Sequence, residues 1–182
     1  IGTGVRSYEA GEVWHLLDQR VGMPITKIPL RNFDNISMDK YNVMVIVSGS
    51  YKLSDNQVKK IKSWVEKGNT IISIGSGSKL LIDKNIVSEE LVNNEKSDTI
   101  DHLPYGDSSE NRGKEQIGGV ILNTQIDLTH PLAFGYENNS LPVYKNNSVW
   151  LKPSKNEYSS VARYSCLLYT SDAADDIGRV DI

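Results

Sequence analysis

Two stretches decide the fold: Val43-Met44-Val45-Ile46-Val47-Ser48-Gly49-Ser50 and Thr70-Ile71-Ile72-Ser73-Ile74-Gly75-Ser76-Gly77. Each is a short apolar run that stops at a cluster of glycine and serine. Runs without polar alternation are the signature of strands covered on both faces, as in a parallel sheet. The residues between them read as a helix. Ser54 is placed as an N-cap, with Gln57 three residues on to complete a capping box. Val58, Ile61, Trp64 and Val65 follow at helical spacing, with Lys59, Lys60, Lys62 and Lys67 turned to water, and Gly68 supplies a left-handed stop. Strand, helix and strand in this order form the crossover unit of a parallel sheet.

Working outward, Tyr8 to Arg20 carries Val13, Trp14, Leu16 and Leu17 on one broad face, a helix that ends before Gly22 and Pro24. Ile1-Gly-Thr-Gly4 reads as the end of a preceding strand, and Ile25 to Leu30 as another short strand. A short helix is expected from about Ser78. The whole predicts an α/β fold, an open sheet with helices on both faces. Beyond Asn93 the regularity fails. Residues 95–116 are polar, with Pro104, Gly106 and Gly113, and read as a long insertion; Gly119–Leu122, Leu141–Tyr144 and Val149–Leu151 read as short strands.

The chain has 182 residues, with 20 basic and 23 acidic side chains and a net charge of −3. Its last seventeen residues, Cys166 to Ile182, resemble translated sequencing-adapter DNA, so the natural gene is expected to have been cut near Ser165. Without Asp172, Asp175, Asp176, Asp181 and Arg179 the charges balance at 19 of each sign. A neutral body offers no basic excess for nucleic acid or an anionic membrane. No apolar run approaches the ~20 residues of a membrane helix. The single cysteine, Cys166, lies in the tail, which leaves no native disulfide. The body, residues 1–165, is read as one domain truncated at both ends.

Three stretches carry a family likeness: Tyr8-Glu-Ala-Gly-Glu-Val-Trp-His-Leu-Leu-Asp-Gln-Arg20, Gly118-Gly-Val-Ile-Leu122 and Asp127-Leu-Thr-His-Pro-Leu132. With the segment from Trp64 to Ile74 they resemble the C-terminal domain of bacterial zinc carboxypeptidase-like proteins. That domain is similar to class I glutamine amidotransferases, with a flavodoxin-like open parallel sheet. The resemblance spans nearly all of residues 1–165. It implies a parent with an N-terminal metallopeptidase domain, a zinc ion in that domain and not in this one, and a periplasmic or extracellular location. It also implies that the partner is the parent's own peptidase domain.

A class I amidotransferase needs a cysteine thiolate on a strand-to-helix elbow, served by a histidine and a carboxylate. The matching place here is Gly75-Ser76-Gly77-Ser78, which offers only hydroxyls, and neither serine completes a Gly-x-Ser-x-Gly elbow. Turn chemistry is the simpler reading, so no catalytic residue is assigned. His15-Leu-Leu-Asp18 with distant His130 imitates a zinc set, but Asp stands where Glu belongs and the pair lies on a helix flank. No metal ligand or cofactor is assigned to this fragment. Asp127-Leu-Thr-His130-Pro131 reads as a rigid turn rather than a catalytic pair.

The favoured function is therefore a non-catalytic accessory domain for docking or substrate presentation. Docking candidates are Tyr51, Tyr105, Tyr136 and Trp150, aromatic residues in or beside loops. Two rival readings stay open. One is a small-ligand module whose crevice, at the carboxyl ends of the strands, comprises Gly4, Ser48, Gly49, Gly75, Ser76 and Ser78. The other is a degenerate serine hydrolase using Ser76 or Ser78 with His130.

Overall fold

The structure, a computed structural model, describes residues 1–92, 104–107 and 119–165. It is a mixed α/β chain that divides into two compact units, Ile1–Ser88 and Glu89–Ile182. The first holds α1 (Ser7–Trp14), β1 (Val43–Ile46), α2 (Asp55–Glu66), β2 (Thr70–Ser73) and α3 (Gly77–Asp83). The second holds β3 (Val120–Ile126), β4 (Ser140–Lys145) and β5 (Ala162–Tyr164). The adapter-like tail and most of the polar insertion lie outside the described residues.

In the first unit β1 and β2 pair in parallel, with Val43 opposite Thr70 and Ile46 opposite Ser73. Helix α2 starts where its capping box demands. The Ser54 hydroxyl accepts from the Gln57 amide, and the Gln57 side chain accepts from the Ser54 amide. Its buried face, Val58, Ile61 and Trp64, packs with Phe33 and Met38 against Met44 and Ile71. Trp64 satisfies its indole N–H on the carbonyls of Met38 and Tyr41, at 3.0 and 3.1 Å. Lys60 departs from the water-facing expectation. Its ammonium donates to the carbonyls of Phe33, Asp34 and Ile36, at the end of the 3-10 helix Leu30–Asn35, where carbonyls lack intrahelical partners.

Helix α1 continues as a π-helical segment from His15 to Arg20 and stops at Gly22, whose φ is +73°. Ile25 to Leu30 is not a strand; it is extended chain running into a 3-10 helix at Leu30–Asn35. Nor is the parallel pair covered on both faces. Residues that alternate away from α2 include Val43 and Ile72, which are 47% and 49% exposed.

The second unit is an antiparallel sheet in the order β4-β3-β5. β3 extends well past Leu122, and its inward positions Thr124 and Ile126 are buried. Thr124 is satisfied by the Leu141 carbonyl at 2.8 Å. Val149–Leu151 forms no strand, only a single bridge from Leu151 to Leu91. Lys145, 6% exposed, donates to Asn147 and to the Val149 carbonyl and lies 4.3 Å from the Trp150 ring centroid. Burial lowers its pKa from the usual lysine value.

Glu90 joins the start of this unit to its later loop through Lys155 at 2.6 Å and Lys152 at 3.1 Å. The Lys155 hydrogen bond, then that of Lys152, holds the Glu90 carboxyl at about 2, against an ordinary 4.5. A depressed carboxylate contributes stability above its unfolded pKa and loses it as pH falls towards the folded one. A side-chain NMR titration should therefore place Glu90 near 2 in low salt, moving towards 4.5 in Lys155→Gln and in high salt, where exposed pairs are screened. An unshifted titration in the unsubstituted chain would remove this ion pair from the description.

Candidate functional site

The carboxyl ends of β1 and β2 lie beside the turn that enters α1, because parallel strands send their chain exits to one end. Four of the six crevice candidates meet here through direct hydrogen bonds or backbone bridges. Val5 bridges Gly49, Gly4 accepts from the Ser50 amide at 2.7 Å, and the Arg6 amide donates to the Ser48 carbonyl at 2.9 Å. The Ser48 hydroxyl accepts from the Ser76 amide at 3.0 Å, and the Ser76 hydroxyl accepts from the Gly49 amide at 3.1 Å. Gly75, with φ of +54°, makes the turn out of β2, and Ser78 pairs its hydroxyl with Ser73 at 3.0 Å.

Ser48 is the hub. It is only 5% exposed, yet every polar group it carries has a partner, the hydroxyl donating weakly to the Ile74 carbonyl at 3.4 Å. Its amide donates to the Glu9 carboxylate at 2.8 Å. Glu9 lies in the first turn of α1, its side chain 16% exposed, with Arg6 at 3.3 Å on the other oxygen. The sequence reading did not single Glu9 out. Its one signal was an acidic residue in the first helical turn after a glycine-rich entry, a pattern shared by many solvated helices. Tyr51 completes the wall, its phenol donating to the Val47 carbonyl at 2.6 Å. Burial first, and the Glu9 charge second, raise the phenol above its usual pKa.

Chemically, this is a set of closed donor–acceptor pairs. A serine nucleophile needs a base within hydrogen-bond reach. The partners of Ser76 and Ser78 are an amide, a hydroxyl and the groups of their own turn. His130 belongs to the second unit, where its Nδ1 accepts from the Leu132 amide at 3.1 Å and caps a short 3-10 turn, Pro131–Ala133. Asp127 accepts from both the amide and the hydroxyl of Thr129, so the Asp127–Pro131 stretch is a hydrogen-bonded turn. His15 is exposed at the start of the π-helical segment. Among the described residues no three His, Cys, Asp or Glu side chains converge on a metal position, and no helix is long and apolar enough to cross a membrane.

The four aromatic candidates differ in their surroundings. Tyr51 packs on the Ile46, Leu80 and Leu81 cluster of the first unit. Trp150 is edge-on to Tyr164, with ring centroids 5.4 Å apart, inside the second. Tyr105 and Tyr136 are exposed, at 91% and 50%. Set against known proteins, the chain matches no family model, no curated protein and no solved structure.

One tight steric point of the site is Gly77, the first residue of α3. A Cβ there would lie 2.6 Å from the Ile46 carbonyl oxygen and 3.0 Å from that of Val47, both immobile backbone. Gly11 in α1 has nothing within 4 Å of such a Cβ. Gly77→Ala should therefore lower stability by about 2 kcal/mol through overpacking, whereas Gly11→Ala should raise it by about 0.5–1 kcal/mol through helix propensity. Urea denaturation of the two variants checks this, and equal signs would mean that α3 does not abut the end of β1.

Proposed function

We propose that the chain is a non-catalytic accessory domain of a zinc carboxypeptidase-like metallopeptidase, one that docks on the peptidase domain or presents substrate to it. The observation that carries the non-catalytic part is the closure of the strand-end crevice: Ser76 and Ser78 use their hydroxyls on the Gly49 amide and on Ser73. A hydroxyl committed to holding its own turn is a structural element, and a reacting group would have to give up that bond. The parent, its zinc, its proteolytic activity and an exported location rest on the resemblance of Tyr8–Arg20 and its companion stretches. The flavodoxin-like sheet is part of the same proposal, and the adjacent parallel strands β1 and β2 are compatible with it.

For docking, the turn between β3 and β4 is better suited than Tyr51 or Trp150. Leu132 and Phe134 are 76% and 94% exposed, and Tyr136 follows two residues on. Exposed large apolar groups gathered on one short turn are the kind of feature that interfaces bury.

The test is binding of this chain to the zinc peptidase domain of its parent. Leu132→Ser with Phe134→Ser should weaken the complex at least tenfold and leave the melting temperature unchanged, since neither side chain is buried at home. An unchanged dissociation constant would contradict docking through this turn. In parallel, a fluorophosphonate probe should leave Ser76 and Ser78 unlabelled. Stoichiometric labelling lost with His130→Ala would establish the hydrolase instead.

A further inference from the structure

The turn that follows β3 is held by a histidine in one protonation state. Pro131 is the first residue of the 3-10 helix Pro131–Ala133 and has no N–H, so the first amide this helix must satisfy is that of Leu132. Its acceptor is the His130 Nδ1, at 3.1 Å. Asn, Asp, Ser and Thr are the common residues at such a position, and their oxygens accept at any ordinary pH. An imidazole nitrogen accepts only while it carries no proton. Histidine is also the side chain whose ordinary titration falls between about pH 5 and 8. Protonated, Nδ1 becomes a donor aimed at the Leu132 donor, and the cap is lost.

The same turn contains the alternative partner. The His130 amide donates to the Asp127 carbonyl at 3.1 Å, so the two side chains spring from the ends of one tight turn. The Oδ1 atom of Asp127 accepts from the Thr129 amide and hydroxyl, which leaves Oδ2 for a further donor. Among the described residues the charged group coupled to His130 is this carboxylate. The Thr129 bonds first, and the His130 charge after them, hold the Asp127 carboxyl below its usual range.

The cap matters because of what it orders. Ala133 is 2% exposed and pins the centre of the helix, its amide donating to the His130 carbonyl at 2.9 Å. On either side, Leu132 and Phe134 project into solvent, and the Phe134 amide closes on the Pro131 carbonyl at 3.3 Å. With Ala133 fixed, the direction of Leu132 depends on the bond to His130.

We propose that His130 is a pH-operated cap. Neutral, it holds the Leu132 amide and presents Leu132 and Phe134 as one apolar edge; protonated, it releases that amide and turns to the Asp127 carboxylate. The order of the edge is therefore fully present at the alkaline end of the histidine range and is lost as pH falls through it. Acid-triggered release from the peptidase domain follows only if the docking function proposed above holds. The cap itself does not depend on that function.

The test uses the full chain, isotope-labelled, with the Leu132 amide and the His130 ring followed by NMR from pH 8 to pH 5. The hydrogen-exchange protection factor of the Leu132 amide should fall at least threefold, with the same midpoint as the ring. In His130→Asn, whose side-chain oxygen accepts throughout, protection should be the same at both ends. An unchanged Leu132 amide, a ring that stays neutral at pH 5, or an equal fall in His130→Asn would overturn the proposal. Should His130→Asn fail to fold, the unsubstituted chain decides, since different midpoints for amide and ring would also overturn it. Binding to the zinc peptidase domain, measured at the same two pH values, should weaken at least fivefold in acid for the unsubstituted chain and not for His130→Asn. Absence of binding at either pH would count against docking alone, because the amide titration decides the cap.

Discussion

The hydrogen bond from the Ser48 amide to the Glu9 carboxylate is the constraint on which the first unit depends. A two-stranded parallel sheet has little stability of its own, and its strand ends diverge unless something joins them. Ser48 sits where β1 gives out and receives or donates four bonds there, from Arg6 and Ser76 and to Glu9 and Ile74. It thereby ties α1 and the exit of β2 to one buried residue. A carboxylate that accepts from a part-buried amide forms a charge-assisted bond, stronger than a neutral pair. Removing either partner leaves a polar group with little access to water, which costs more than the bond itself contributes.

This arrangement explains why residues that look like a binding crevice behave as a joint. Glycine and serine at the ends of parallel strands serve phosphate binding when their amides point outward to solvent. Here the Ser48, Gly49 and Ser76 amides point at a carboxylate and two hydroxyls of the same chain. The difference lies in one side chain: Glu9 places negative charge where an anion would otherwise sit.

The parts of the fold legible in the sequence were those set by local rules. The Ser54–Gln57 capping box, the stop at Gly68 and the two apolar runs ending in Gly and Ser follow from nearest-neighbour chemistry, and all are seen. What was hidden depends on partners distant in sequence. Residues 25–30 have strand composition but pair with no strand among the described residues. β3 looked finished at Leu122 because Asn123, Thr124 and Gln125 are polar, although Thr124 faces inward and is satisfied by Leu141. Lys60 resembled its exposed neighbours until the 3-10 helix offered it three carbonyls. Among candidate site residues, Gly4, Ser48, Gly49 and Ser76 come together at the strand ends through backbone and side-chain hydrogen bonds. Glu9, the residue that determines what they do, carried no distinctive sequence mark.

The central claim is that the strand-end hydroxyls form one structural network. A double-mutant cycle on Ser48→Ala and Ser76→Ala, followed by urea denaturation, measures it most directly. The Ser48 Oγ accepts from the Ser76 amide and the Ser76 Oγ from the amide of Gly49, next to Ser48, so the account predicts that each single change destabilises and that the pair is coupled by about 1 kcal/mol. Strictly additive losses, or single variants as stable as the unsubstituted chain, would contradict it.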